Sequence, residues 1–140
     1  MEKVLVTGAA GFVGKSLIPV LLRSGYTVCA MDLCEKPDEF DTLENLEWIV
    51  GSFLDFRSDL LLHKRISSLK IKSAIHLATT LFPNEAQKEI CKDLKENVLG
   101  SLHFFDFLYG LGIKKIIYAS SGGLVYGENN RGFPLNEESN

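Results

Sequence analysis

Three glycines spaced Gly-x-x-Gly-x-x-Gly, at Gly8, Gly11 and Gly14, are the first feature with chemical content. They lie between a short apolar run, Val4 to Val6, and a stretch in which Val13, Leu17, Val20 and Leu21 recur at helical spacing. A glycine leaving a strand permits a tight turn, a second lets a bulky anion approach the backbone, and a third lets a helix pack close to a sheet. The N–H groups that open such a helix have no intrahelical partner, so with the helix dipole they face an anion. Ala10, Phe12 and Val13 belong to the same turn and would present those amides. Asp32 closes the next apolar run at roughly the 20-residue distance expected of a carboxylate that grips a ribose. Pyrophosphate plus ribose is the chemistry of a dinucleotide. A carboxylate accepts hydrogen bonds from both ribose hydroxyls of NAD and repels the 2′-phosphate of NADP. No Arg lies between Leu33 and Glu47, and Lys36 is the one nearby cation of that stretch. The residues therefore predict NAD as cofactor, with Asp32 and the adjoining Leu33 at its ribose.

The elements that must position these groups follow from periodicity. Strands are expected at 4–6, 27–31, 47–50, 73–77 and 116–119, most of them continuous apolar runs buried on both faces. Helices are expected at 12–24, with Pro19 as a kink and Gly25 as a stop, and at 57–69, with Leu61, Arg65 and Leu69 on one face beside Leu62 and Ile66. A single long helix is expected over 85–111, with Ile90, Leu94, Val98, Leu102 and Phe105 on one stripe and Gly112 closing it. Residues 34–44 and those after 119 read as loop. Alternating strands and helices make an α/β fold, a Rossmann-type doubly wound parallel sheet whose right-handed crossovers give strand order 3-2-1-4-5.

At 140 residues the chain suits one domain. Its net charge of −3 offers no attraction to nucleic acid or anionic membrane. Lys15 and the three glycines interrupt the apolar N-terminus well short of a membrane span of about 20 residues. Cys29, Cys34 and Cys91 form no CxxC and no Cys/His pair, so they read as reduced thiols of a cytoplasmic protein, with no metal site.

Several further segments, in order along the chain, resemble the extended short-chain dehydrogenase/reductase family, which includes the NAD-dependent nucleotide-sugar epimerases and dehydratases. Gly51-Ser52-Phe53-Leu54-Asp55 is similar to its adenine-holding segment, and His76-Leu77-Ala78-Thr79 to the segment beside its cofactor. Glu96-Asn97-Val98-Leu99-Gly100 resembles its Asn-Val-x-Gly helix signature. Ser120 to Gly127 resembles its Ser-rich run ending Val-Tyr-Gly, and Pro134 to Glu137 its Pro-x-x-Glu. The resemblance implies that Ser52, Phe53, Leu77, Ala78, Thr79, Asn97, Ala119 and Ser120 complete the cofactor site. It implies a nucleotide-sugar substrate, transient hydride transfer to and from NAD, and a homodimer formed through the helix at 85–111.

Three departures qualify it. Ser52 stands where the family has Asp, so the adenine end loses a charge. Gly122 stands at the catalytic Ser/Thr position, leaving Ser121 as the nearest hydroxyl and the candidate catalytic residue. The Tyr-x-x-x-Lys pair that runs the family's proton transfer is missing: four positions after Tyr26, Tyr109, Tyr118 and Tyr126 stand Ala30, Ile113, Gly122 and Asn130. The pair would fall past Asn140, so the chain reads as the N-terminal portion of a longer enzyme, truncated before the sixth strand and the substrate region. An NAD(P)-dependent reductase of a non-sugar carbonyl and a non-catalytic NAD-binding module are the alternatives. Among single residues, His76 reads equally as structural or functional, though not as the base. Asn97 reads as a helix-to-loop tie in preference to a direct ligand contact. The aromatics Phe104, Phe105 and Phe107 read as core or subunit interface.

Overall fold

The structure is a computed structural model and describes residues 1–81 and 83–120. Five parallel strands form one sheet: β1 (Lys3–Thr7), β2 (Thr27–Asp32), β3 (Leu46–Val50), β4 (Ser73–His76) and β5 (Lys115–Tyr118). Their order is β3-β2-β1-β4-β5, as the crossover rule predicts. Register aligns the strand ends: Thr7 lies opposite Met31 on one side and His76 on the other, and Asp32 lies opposite Val50. Every loop that leaves a strand end therefore opens along one edge of the sheet.

Side chains alternate between two cores. Val4, Val6, Val28 and Ala30 pack with Ala9, Ile18 and Phe40 on one face. Leu5, Cys29 and Met31 pack with Ile49, Phe56, Leu62, Ile66, Phe104 and Leu108 on the other. Cover on both faces is why β1 and β2 are unbroken apolar runs instead of alternating ones.

Helix α1 (Phe12–Arg23) runs through Pro19 without a break and buries Gly14 and Ile18. It ends at Gly25 as expected, with the Gly25 and Tyr26 amides bonded back to Leu22 and Leu21. Helix α2 (Leu60–Ser68) starts later than the sequence predicts, because a 3₁₀ turn at Asp55–Arg57 precedes it. The Asp59 carboxylate caps α2 by accepting from the Leu61 and Leu62 amides at 2.9 and 3.0 Å. The buried positions of α2 are Leu62 and Ile66, and Leu61 faces out.

The single helix expected over 85–111 is the main correction. The segment is divided into α3 (Pro83–Ala86), α4 (Ile90–Asp93), a π-helical stretch Leu94–Gly100, and α5 (Ser101–Gly110). A π turn takes one more residue than an α turn, so the 3.6-residue phase is lost across it. Of the predicted stripe, Ile90, Leu94, Val98 and Leu102 are exposed and Phe105 is half-buried against the core, while Ser101, Phe104 and Leu108 are buried. Gly100 is where this helix touches the loop after β3, against the Leu54 side chain. Among the described residues no helix is long and apolar enough to cross a membrane.

Candidate functional site

A cleft of about 420 Å³ opens at the C-terminal edge of the sheet. It sits where the chain turns from β1 toward β2 on one side and β4 lies on the other, the switch point at which open α/β sheets take ligands. Gly8, Ala10, Gly11, Asp32, Leu33, Ser52, Phe53, Leu77, Ala78 and Thr79 line it, all of them sequence-predicted. Gly51, the first residue of the segment that resembles the adenine-holding one, lines it as well, and so do Thr7, Met31, Cys34 and Thr80, which the sequence does not single out. Each adjoins a predicted residue, so strand register was the available signal. Phe12, Val13, Gly14, Asn97, Ala119 and Ser120 are not on its wall.

The loop between β1 and α1 is shaped by backbone contacts that admit no side chain. Gly8 has φ +69°, and a Cβ there would meet the Ala78 nitrogen at 2.7 Å. A Cβ on Gly14 would lie 2.5 Å from the carbonyl oxygens of both Gly8 and Ala9, so α1 can pack this closely only with glycine. A Cβ on Gly11 would meet only the Gly8 carbonyl, at 3.2 Å, and its outer side is open. Among the described residues no side chain caps α1, and its first turn holds no acid. Its opening amides at Phe12, Val13 and Gly14 are therefore left to an external acceptor. Phe12 and Val13 side chains point to solvent, so any part they play is through the backbone.

Asp32 ties this loop to the turn after β2. One carboxylate oxygen accepts from the Ala10 amide at 2.9 Å, and the other accepts from the Leu33 amide at 2.8 Å and the Cys34 thiol at 3.5 Å. Trp48 on β3 donates its indole N–H to the Cys34 carbonyl at 3.0 Å and so fixes the turn after Asp32. Partial burial and the Asp32 charge push the Cys34 thiol pKa up, which keeps it protonated. Ser52 accepts from the Leu54 amide at 3.1 Å, which closes its own turn.

Beneath the floor lies a buried polar relay. His76 is 1% exposed; its Nδ1 is 2.7 Å from Thr7 Oγ1 and its Nε2 is 3.1 Å from Ser101 Oγ. Phe53 and Phe105 meet the ring edge-on at 4.8 and 5.1 Å, and Tyr118 stacks on it at 5.9 Å. Burial pushes its pKa down to about 4, so the ring is neutral, with one nitrogen donating and the other accepting. His76 thus joins β1, β4 and α5. Asn97, in the π-helical stretch, accepts from the Thr80 amide at 2.9 Å and hydroxyl at 3.1 Å, and donates to Asp93 at 2.7 Å. It is the helix-to-loop tie that the sequence favoured, and it holds a cleft residue in place. Ala119 and Ser120 are exposed just beyond β5, with the Ala119 amide bonded to the His76 carbonyl at 3.2 Å. Ser121, Gly122, Tyr126 and the Pro134 to Glu137 segment lie outside the described residues.

Among the residues lining the cleft, the titratable side chains are Asp32 and Cys34. Of this described lining, one is a carboxylate that accepts from the Ala10 and Leu33 amides and the other is a thiol whose pKa is pushed up. A glycine turn, an uncapped helix start and a carboxylate at the end of β2, at a switch point, define a dinucleotide-binding domain of the Rossmann type.

The chain belongs to the NAD dependent epimerase/dehydratase family, whose sequence pattern matches residues 4–140. It is 44% identical over 132 residues to a dTDP-4-dehydro-6-deoxyglucose reductase of Escherichia coli, covering 93% of this chain and 42% of that protein. Its structure is similar to that of the UDP-glucose 4-epimerase of Thermotoga maritima with UDP-glucose, at 32% identity and TM-score 0.76, covering 98% of this chain and 43% of the other. It is similar also to the UDP-glucose 4-epimerase of Bifidobacterium longum in complex with NAD+ and UDP, at 26% identity and TM-score 0.81, covering 99% and 42%. The chain spans about two fifths of the length of these relatives.

Proposed function

We propose that this chain holds NAD in the cleft and forms the cofactor-binding portion of an epimerase or dehydratase that acts on a nucleotide sugar by transient hydride transfer. The observation that carries the reading is the joint placement of the open Gly11 turn, the uncapped start of α1 and Asp32 around one cleft. Bound NAD would supply the hydride acceptor. The amides of Phe12, Val13 and Gly14 would take the pyrophosphate, and Asp32 would accept from the ribose hydroxyls. Ser52 would donate its hydroxyl proton toward the adenine ring while still accepting from Leu54.

The test is calorimetric titration of the full-length product of the reading frame with NAD. Saturable one-site binding that Asp32→Ala weakens by about 10- to 100-fold is expected, the scale of losing charge-assisted hydrogen bonds. Absence of NAD binding to the folded wild type would refute the reading. A second reading, a net reductase of a nucleotide-linked keto sugar, is favoured by the 44% identity to a reductase. Product analysis separates the two, because an epimerase or dehydratase returns NAD unchanged and a reductase consumes one NADH per sugar.

The exposed stripe Ile90, Leu94, Val98 and Leu102 supports a homodimer that covers it. The free thiols at Cys29, Cys34 and Cys91 support a reducing compartment, the cytoplasm.

A further inference from the structure

We infer that Glu39 is a cofactor-specificity residue: by holding Lys15, it withholds from the ribose end of the cleft the cation that a 2′-phosphate would need. The inference rests on the reading that NAD occupies this cleft with its adenosine ribose at Asp32. Residues 32–44 carry six carboxylates against one lysine, Lys36. That lysine is engaged by Asp41 at 2.9 Å. The other nearby cation is Lys15 in the first turn of α1, whose ammonium is 2.7 Å from a Glu39 carboxylate oxygen. Lys15 stands one helical turn past the cleft-lining Gly11, whose carbonyl accepts from its amide at 2.9 Å, so the residue rises from the same loop that Asp32 holds through Ala10.

The backbone that presents Glu39 is anchored, although its carboxylate is exposed. It sits in a 3₁₀ turn, Asp38–Phe40, whose Phe40 is 2% exposed and packs in the α1-side core against Trp48. Trp48 also fixes the backbone at Cys34. One aromatic thus positions both the turn after Asp32 and the turn that presents Glu39. An exposed ion pair contributes little to stability, but here it decides where charge stands. A 2′-phosphate arriving at this rim would meet Asp32 and Glu39 and find both lysines already neutralised. Removing Asp32 alone leaves that second obstacle in place.

The experiment measures dissociation constants for NAD and NADP by calorimetry on the full-length protein. The proteins compared are wild type, Asp32→Ala, the double variant Asp32→Ala/Glu39→Gln, the triple variant adding Lys15→Met, and Asp32→Ala/Glu39→Asp, with circular dichroism to verify folding. The double variant is expected to shift the NADP-to-NAD affinity ratio toward NADP by about tenfold relative to Asp32→Ala, the scale of one charge-assisted contact. Lys15→Met should cancel that gain, and Glu39→Asp, which keeps the acid, should show none. An unchanged ratio in the double variant, or a gain that survives Lys15→Met, overturns the role given to Glu39. Wild type that binds neither cofactor would instead overturn the NAD reading itself, so the two failures are distinguishable.

Discussion

His76 offers the sharpest perturbation of this fold by pH. Its ring is enclosed by Phe53, Phe104, Phe105 and Tyr118, and its two nitrogens are spent on Thr7 and Ser101. Protonation would not break those bonds, since both hydroxyls can accept. The cost is placing a cation in an apolar box, and it lowers the pKa from 6.5 to about 4. Between those values the unfolded chain binds a proton that the folded chain refuses, so stability falls as pH falls. The contribution is complete above pH 6.5 and gone below pH 4. Integrated, it amounts to about 3 kcal/mol, of which about 2 kcal/mol is already lost at pH 5. The assay is urea unfolding of wild type and His76→Gln at pH 7, 6, 5 and 4.5. Gln keeps a donor and an acceptor but does not titrate, so taking the difference between the two proteins cancels the carboxylates, which also respond to acid. The wild-type advantage should shrink by about 2 kcal/mol between pH 7 and 5. A difference that stays constant over this range would refute the picture of a buried neutral imidazole.

Two other substitutions test the backbone approach and the loop tie. Gly14→Ala sets a methyl 2.5 Å from two carbonyl oxygens that cannot rotate away, so a loss near the upper end of overpacking, about 3 kcal/mol, is expected in denaturant melts; a loss below about 1 kcal/mol would show that α1 can lift off the sheet cheaply. Asn97→Ala releases the Thr80 amide and hydroxyl, and should weaken NAD binding several-fold while costing about 1 kcal/mol of stability. Unaltered NAD affinity in that variant would show that Thr80 needs no anchor.

The legible part of the site is the part encoded locally. The glycine spacing, the strand before it, the helix after it and the acid closing the next strand all lie within 32 residues, and each has a distinct steric or electrostatic task. The structure brings Gly8, Gly11 and Asp32 to one wall, and the Ala10 amide to Asp32, because β1 and β2 are adjacent and in register. What sequence could not give was the use of the same groups for each other. Asp32 serves the Ala10, Leu33 and Cys34 donors as well as facing the cleft, and the second nitrogen of His76 finds Ser101, 25 positions on. Such pairings depend on which side chains the tertiary packing makes neighbours, and no periodicity reports that. Thr7 and Met31 are a simpler case: each ends its strand, and each becomes wall only once the strand ends are aligned.

The segment 85–111 shows how a correct pattern can point the wrong way. Its apolar residues do recur at helical spacing, and a helix-rich segment is there. Yet the spacing assumes that every turn takes 3.6 residues, and the seven residues Leu94–Gly100 do not. The π turns carry Asn97 to a place where it reaches both Asp93 and the Thr80 amide, and they bring Gly100 hard against Leu54. After them the core is met by Ser101, Phe104 and Leu108, and Ile90, Leu94, Val98 and Leu102 of the predicted stripe are turned to the surface. Of the exposed stripe Leu102 lies on α5, whose outward side also carries His103 and Asp106, and the rest lies on α4 and the π-helical stretch. An outward stripe of this kind is costly to leave in water, so its residues favour a second surface. The π-helical stretch thus holds the cleft loop through Asn97 and carries Leu94 and Val98 of the exposed stripe, so the cofactor cleft and the surface proposed for dimerisation share one element.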